Sequence, residues 1–268
     1  MNIYFYAIIF IIGTLFGSFY TLAVYRIPKG QDITHTHSYC PNCGNKLGFF
    51  ELIPVLSYIF LGGKCKKCKQ KIRIRYLILE ILSGILFVAF AYALKLNIYN
   101  LNITDLISFA FIALYLTCVI LISCIDKENK NIQKSLLVYG IVISLIYIVY
   151  LCIVEKASMY RYAIYLVAII ILLLVDILKI KKQAIDNYTL KILTFLVIML
   201  IFTSEITCIL TIAGTLIATA IYIFVNKIKN YKSKNKKVET NYNLSTRIGF
   251  TMGFLNIILF LAILNICK

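Results

Sequence analysis

Eight apolar runs decide what this chain can fold into. They lie at roughly Ile3–Tyr25, Tyr76–Leu94, Asp105–Ile125, Ser135–Val154, Tyr162–Leu178, Leu190–Phe202, Ile206–Val225 and Arg247–Ile266. Most approach the ~20 residues that a helix needs to cross the hydrocarbon of a bilayer. A 268-residue chain with 61% hydrophobic residues and a mean hydropathy of +0.88 cannot hide such runs in one soluble core. The expected fold class is an all-α polytopic membrane protein with about eight transmembrane helices. The tight join at Ser204 and Glu205 leaves a seven-helix count open. Met1 to Tyr25 lacks a basic start and a small-residue cleavage site, so the first run is expected to stay in the protein rather than be removed as a signal peptide.

The formal charge of +17 invites a nucleic-acid reading, but the cations stand in short blocks between apolar runs rather than on one surface. Taking eight spans, 24 of the 28 Lys and Arg fall in or beside the loops 26–75, 126–134, 179–189 and 226–246. By the positive-inside rule these loops are cytoplasmic and both termini face out. The partner expected of this charge is the lipid bilayer of a cell membrane, with no nucleic acid. The Lys-rich stretch Lys227–Lys237 has no apolar period and reads as a basic linker attracted to anionic headgroups.

The largest loop holds the densest chemistry. Cys40-Pro41-Asn42-Cys43 and Cys65-Lys66-Lys67-Cys68 are two Cys-x-x-Cys knuckles, each presenting two sulfurs on one side, and together they can surround one tetrahedral ion. With four thiolates and no open position, a bound zinc would be structural. Two disulfides or free thiols are the alternatives, and a reducing cytoplasmic location favours zinc. His35 and His37 are read as loop residues, since four cysteines already complete the shell. Cys118, Cys124, Cys152, Cys208 and Cys267 lie in or beside apolar helices and read as small hydrophobes.

Acids are few enough to weigh singly, and an ionisable group in or beside a spanning helix is a functional candidate. Asp126 follows an apolar run at the end of the third span, and Asp186 precedes the sixth. Two carboxylates meeting at one membrane face can share a proton, one activating water while the other polarises a carbonyl, which is aspartic proteolysis. Ordinary helix-end charges are the competing account. Asp176, inside the fifth span, is the rival second acid and reads as neutralised by Lys179. Glu80, one turn from Tyr76, is expected to orient the cysteine loop through Arg73 or Arg75.

Along the first 80 residues or so the sequence resembles the type IV prepilin leader peptidase/N-methyltransferase family. The matching residues are Gly17-Ser18-Phe19-Tyr20-Thr21, Tyr25-Arg26-Ile27-Pro28, both knuckles, Glu51-Leu52-Ile53-Pro54-Val55-Leu56-Ser57-Tyr58, Gly63-Lys64-Cys65, Ile72-Arg73-Ile74-Arg75-Tyr76 and Glu80. The resemblance implies a first catalytic acid at Asp126, followed six residues later by Ile132, although the family's Pro and second Asp are Gln133 and Lys134 here. The family's Gly-x-Gly-Asp-x-Lys motif is absent. Aligned on Lys191, Asp186 and Tyr188 stand at its glycines and Thr189 at its aspartate, which leaves Asp186 as the second acid.

Three parts follow: a first transmembrane helix over 1–25, a cytoplasmic zinc-binding loop over 26–75 and a helical aspartic peptidase-like domain over 76–268. The resemblance implies an endopeptidase that removes the leader of type IV prepilins or pseudopilins at the cytoplasmic face. It also implies N-methylation of the new N-terminus from S-adenosylmethionine, at residues the sequence does not identify. The missing glycines sustain an alternative, a catalytically degenerate paralogue that binds prepilin or pilus-assembly proteins. A transporter fits poorly, because the charges cluster at one face rather than at the bilayer midplane.

Overall fold

The chain is all-α, as its apolar runs require: in lipid each backbone N–H and C=O must be satisfied within its own helix. The computed structural model describes residues 2–154, 159–179, 187–232 and 248–266. Among the described residues, six helices are long and apolar enough to cross a membrane, and two shorter apolar stretches, Tyr160–Val175 and Tyr188–Phe202, accompany them. The chain divides into two compact units, Met1–Ala113 and Leu114–Cys267.

The first unit is built on α1 (Asn2–Arg26) and α3 (Arg75–Ala93), which pack side by side. Close approach is written into α1 by Gly13 and Gly17, four residues apart on one face. A methyl group on Gly17 would lie 2.6 Å from the Glu80 Cα, and one on Gly13 would lie 2.8 Å from the Gly84 Cα. Pro28 and Gly30 end the helical path after Arg26: a single 3-10 turn covers Ile27–Lys29, and Gly30 closes it at φ 64°. The loop that follows carries the cysteines and one short helix, α2 (Leu56–Phe60). The helix α4 (Ile103–Asn129) begins in this unit and continues into the next.

The second unit comprises the rest of α4 with α5 (Lys134–Ile153), α6 (Met159–Lys179), α7 (Asn187–Phe202), α8 (Glu205–Lys232) and α9 (Ile248–Ile266). Its hub is α7, which packs against α5, α6, α8 and α9. The Phe202 ring stacks on Tyr115 of α4 and Tyr147 of α5, both at 4.7 Å between centroids. In the core, the Tyr115 hydroxyl donates to Asn256 Oδ1, and Asn256 Nδ2 donates to Thr211 Oγ1 at 3.2 Å, tying α4, α8 and α9 by polar contacts.

The helices fall within a few residues of the eight apolar runs. The doubtful join is a true break, because Ser204 Oγ accepts the Thr207 N–H at 3.2 Å and caps α8. The expected linker Lys227–Lys237 is helical as far as Lys232, and its remainder lies outside the described residues.

Candidate metal centre and buried aspartate

Two similar turns bring the cysteines together. Cys40 N–H donates to the Asn45 carbonyl and Gly44 N–H to the Cys40 carbonyl, both at 2.9 Å. The second knuckle repeats the pattern, with Cys65 N–H to the Gln70 carbonyl at 2.9 Å and Lys69 N–H to the Cys65 carbonyl at 3.0 Å. Both turns need a left-handed residue, Gly44 at φ 68° and Lys69 at φ 58°. The isolated bridges Tyr39 to Lys46 and Lys64 to Lys71 close them.

The four Sγ atoms lie within 4.8 Å of one another, and the Cys40 and Cys68 sulfurs are 3.8 Å apart. Sulfurs at the corners of a tetrahedron with Zn–S of about 2.3 Å stand about 3.8 Å apart, so this cluster fits a tetrahedral zinc site. Cys40 and Cys65 are buried, Cys43 is exposed, and all four are free thiols. His35 stands outside the cluster with its Nδ1 3.4 Å from Asp32 Oδ2.

The thiols are not equivalent. The Gln70 backbone N–H and the Asn42 amide draw Cys68 down to about 6. The Asn45 N–H pulls Cys43 the same way, but desolvation and the three neighbouring sulfurs outweigh it and carry that thiol up to about 11. Without metal, Cys68 therefore gives up its proton more readily than Cys43. Alkylation of metal-stripped protein at neutral pH is expected to label Cys68 before Cys43, although Cys43 is the more exposed. Peptide mapping that finds Cys43 labelled first would contradict this ordering.

The loop is pinned at both ends by buried charges. Arg26, 3% exposed, sends its guanidinium to the carbonyls of Asp32, Thr36 and His37 and to the Thr36 hydroxyl, at 2.6–3.0 Å. Asp32 in turn accepts the Thr34 N–H and hydroxyl and the His35 N–H, contacts that hold its carboxyl down at about 2. Glu80 orients the loop as expected, reaching it through backbone: its Oε2 accepts the Val55 N–H at 2.7 Å. Between α1, α3 and the loop lies a cavity of about 620 Å³, lined among others by Tyr25, Tyr39, Tyr58, Tyr76, Glu51 and Glu80.

In the second unit, Asp126 is fully buried near the end of α4. Its Oδ1 accepts the Tyr188 hydroxyl at 2.8 Å, and its Oδ2 accepts the Phe250 N–H at 3.1 Å. The carboxylate thus sits on the first turn of α9, where unpaired N–H groups and the helix dipole favour negative charge. Gly249 makes room for it, since a methyl group there would come within 3.1 Å of Asp126 Oδ2. Lys191, one turn along α7 from Tyr188, donates to Asn131 Oδ1 at 2.7 Å. Thr189 is exposed. Asp186 and the side chain of Asp176 lie outside the described residues.

Comparison with known proteins bears on both units. A bacterial peptidase A24 N-terminal domain matches residues 11–94. The likeness to that domain covers the cysteine loop and the two helices that flank it. Proteins named prepilin leader peptidase/N-methyltransferase are its relatives. The one from Myxococcus xanthus is 40% identical over 81 residues, covering 30% of this chain and 24% of that protein. The one from Vibrio cholerae is 39% identical over 87 residues, 29% of this chain and 34% of the relative. A Pseudomonas putida relative extends further, 28% identical over 165 residues, covering 53% of this chain and 54% of its own length. The match therefore spans from about a quarter to about half the length of these relatives. No solved structure matches.

Sequence reasoning missed Tyr188 and Arg26 as site residues. Tyr188 was visible only as a misplaced glycine of the A24 motif, and nothing local announces that its hydroxyl meets Asp126 across 62 residues of chain. Arg26 had a signal: a cation closing an apolar helix, followed at once by Pro28.

Proposed function

We propose that this chain is a prepilin-binding membrane protein of the A24 class in which leader cleavage has been lost. One observation carries the reading: both oxygens of the fully buried Asp126 are engaged, by the Tyr188 hydroxyl and the Phe250 N–H. Aspartic proteolysis needs a second carboxylate to share a proton, and a water between the two. Among the described residues the side chain that meets Asp126 is a phenol, and Thr189 stands at the motif's aspartate. Asp126 then anchors α7 and α9 to α4.

The first unit retains what the relatives share, and it is the part that would engage prepilin. Cys40, Cys43, Cys65 and Cys68 would hold a structural zinc, whose chemistry is to fix the loop. A methyl donor such as S-adenosylmethionine would fit the cavity, whose volume of about 620 Å³ is that of a small-molecule site and whose Glu51 and Glu80 offer carboxylates to a cationic ligand. The bias of 24 of 28 basic residues to one set of loops supports a cytoplasmic position for the cysteines, with both termini outside.

A second reading, the aspartic endopeptidase using Asp126 and Asp186, is favoured by one feature. Tyr188, which touches Asp126, is only two residues beyond Asp186. Crosslinking in cells that co-express a type IV prepilin tests the first reading. The expected product is an adduct of this chain with prepilin still carrying its leader. Recovery of only processed pilin, or of no adduct, would count against it.

A further inference from the structure

The cysteine loop carries an apolar stretch, residues 48–61, that neither zinc nor the proposed binding role accounts for. It is ordered by its own bonds: Glu51 Oε2 accepts the Gly48 N–H at 2.7 Å, Leu52 N–H reaches the Phe49 carbonyl at 3.1 Å, and Ser57 N–H reaches the Ile53 carbonyl at 3.0 Å. Yet several of its apolar side chains point outward: Phe49 is 78% exposed, Phe50 81%, Ile59 60% and Phe60 83%. Water is a poor neighbour for so many adjacent apolar side chains on a fixed surface.

The depth of this stretch says what covers it. Val55, at φ 62° and ψ −54°, occupies a γ-turn closed by Leu56 N–H to the Pro54 carbonyl, a strained conformation for a β-branched residue. Its N–H is held by Glu80. Glu80 lies about 7.5 Å along α3 from Arg75 at 1.5 Å per residue. Arg73 and Arg75 mark the level of the headgroups, so the loop is tied to α3 on the hydrocarbon side of that level. Ile74, the N-cap of α3, and Ile78 in its first turn are themselves 63% and 54% exposed, which continues the apolar surface along the helix. Exposed lysines at 46, 64, 66, 67, 69 and 71 flank the stretch, the charge pattern of a segment lying on anionic headgroups.

We propose that residues 48–61 are an interfacial membrane anchor, with Phe49, Phe50, Leu56, Ile59 and Phe60 inserted at the boundary between headgroups and acyl chains. The anchor fixes the cysteine cluster at the water–lipid boundary instead of letting it hang in solution. It does not depend on whether leader cleavage survives.

The chain contains no tryptophan, so single Phe60→Trp and Phe50→Trp variants of the full protein give unambiguous fluorescence. They would be reconstituted in phosphatidylcholine/phosphatidylglycerol vesicles, with His35→Trp as the aqueous control, since His35 is 90% exposed. Both phenylalanine replacements are expected to show blue-shifted emission, quenched several-fold more by lipid brominated near the headgroup than by iodide, with the reverse for the control. Emission quenched by iodide and not by brominated lipid would overturn the anchor. Protection from both quenchers would also overturn it, by showing that protein covers the patch. Two variants guard against misfolding of either one.

Discussion

Replacing Cys65 by serine is expected to abolish zinc binding and unfold the cysteine loop while α1 and α3 stay paired. Cys65 is buried and its sulfur is one of the four clustered within 4.8 Å. A hydroxyl in its place is a weak zinc ligand at neutral pH, and a structural zinc of this type contributes on the order of 10–16 kcal/mol of folding free energy. Arg26 and Glu80 hold other parts of the loop, whereas the two knuckles meet through their sulfurs. The helices have their own support, in the Gly13 and Gly17 contacts and in lipid. Metal analysis should fall from one zinc per chain to none, and limited proteolysis should cut between residues 38 and 72 with the remainder protected. Wild-type protein purified without zinc, or a Cys65→Ser loop as resistant as wild type, would refute the metal centre.

Truncating Asp126 to alanine should be the most damaging single change in the second unit. It strips a partner from the Tyr188 hydroxyl and from the first turn of α9 in a site closed to solvent, at a cost of about 3 kcal/mol or more. Asp126→Asn keeps the shape and an acceptor oxygen for the Phe250 N–H, so its cost should be nearer ~1 kcal/mol. Tyr188→Phe removes one charge-assisted hydrogen bond and should cost about 1.5–3 kcal/mol. Thermal unfolding in detergent would rank them, with alanine lowest. Equal stability of Asp126→Ala and wild type would mean that the carboxylate does not anchor α9.

The legible parts of this protein are those where local sequence dictates structure. Apolar runs fixed the helices because each must satisfy its backbone alone in lipid, and the knuckle spacing fixed the cysteines because a two-residue gap orients both sulfurs. The site around Asp126 was legible only by half. Its position at the end of α4 came from the sequence, but its partners come from α7 and α9, joined to it by tertiary packing that no local pattern encodes. Glu80 was expected to steer the loop through an arginine. Its observed contact is the Val55 N–H, because a γ-turn leaves that donor unpaired at the right height on α3. The outward rings of Phe49, Phe50 and Phe60 were readable as apolar, but their exposure follows from the fold of the loop.

The central claim, that Asp126 is an anchor paired with Tyr188 and not half of a cleaving dyad, is tested most directly by the N-terminus of a prepilin. The prepilin encoded in the same genome would be co-expressed with wild-type chain, Asp126→Asn and Asp186→Asn in a host lacking prepilin peptidases, and its mass measured. The account predicts an intact leader in all three cases. A leader removed by the wild type and retained with either asparagine variant would contradict it and establish the two-aspartate peptidase.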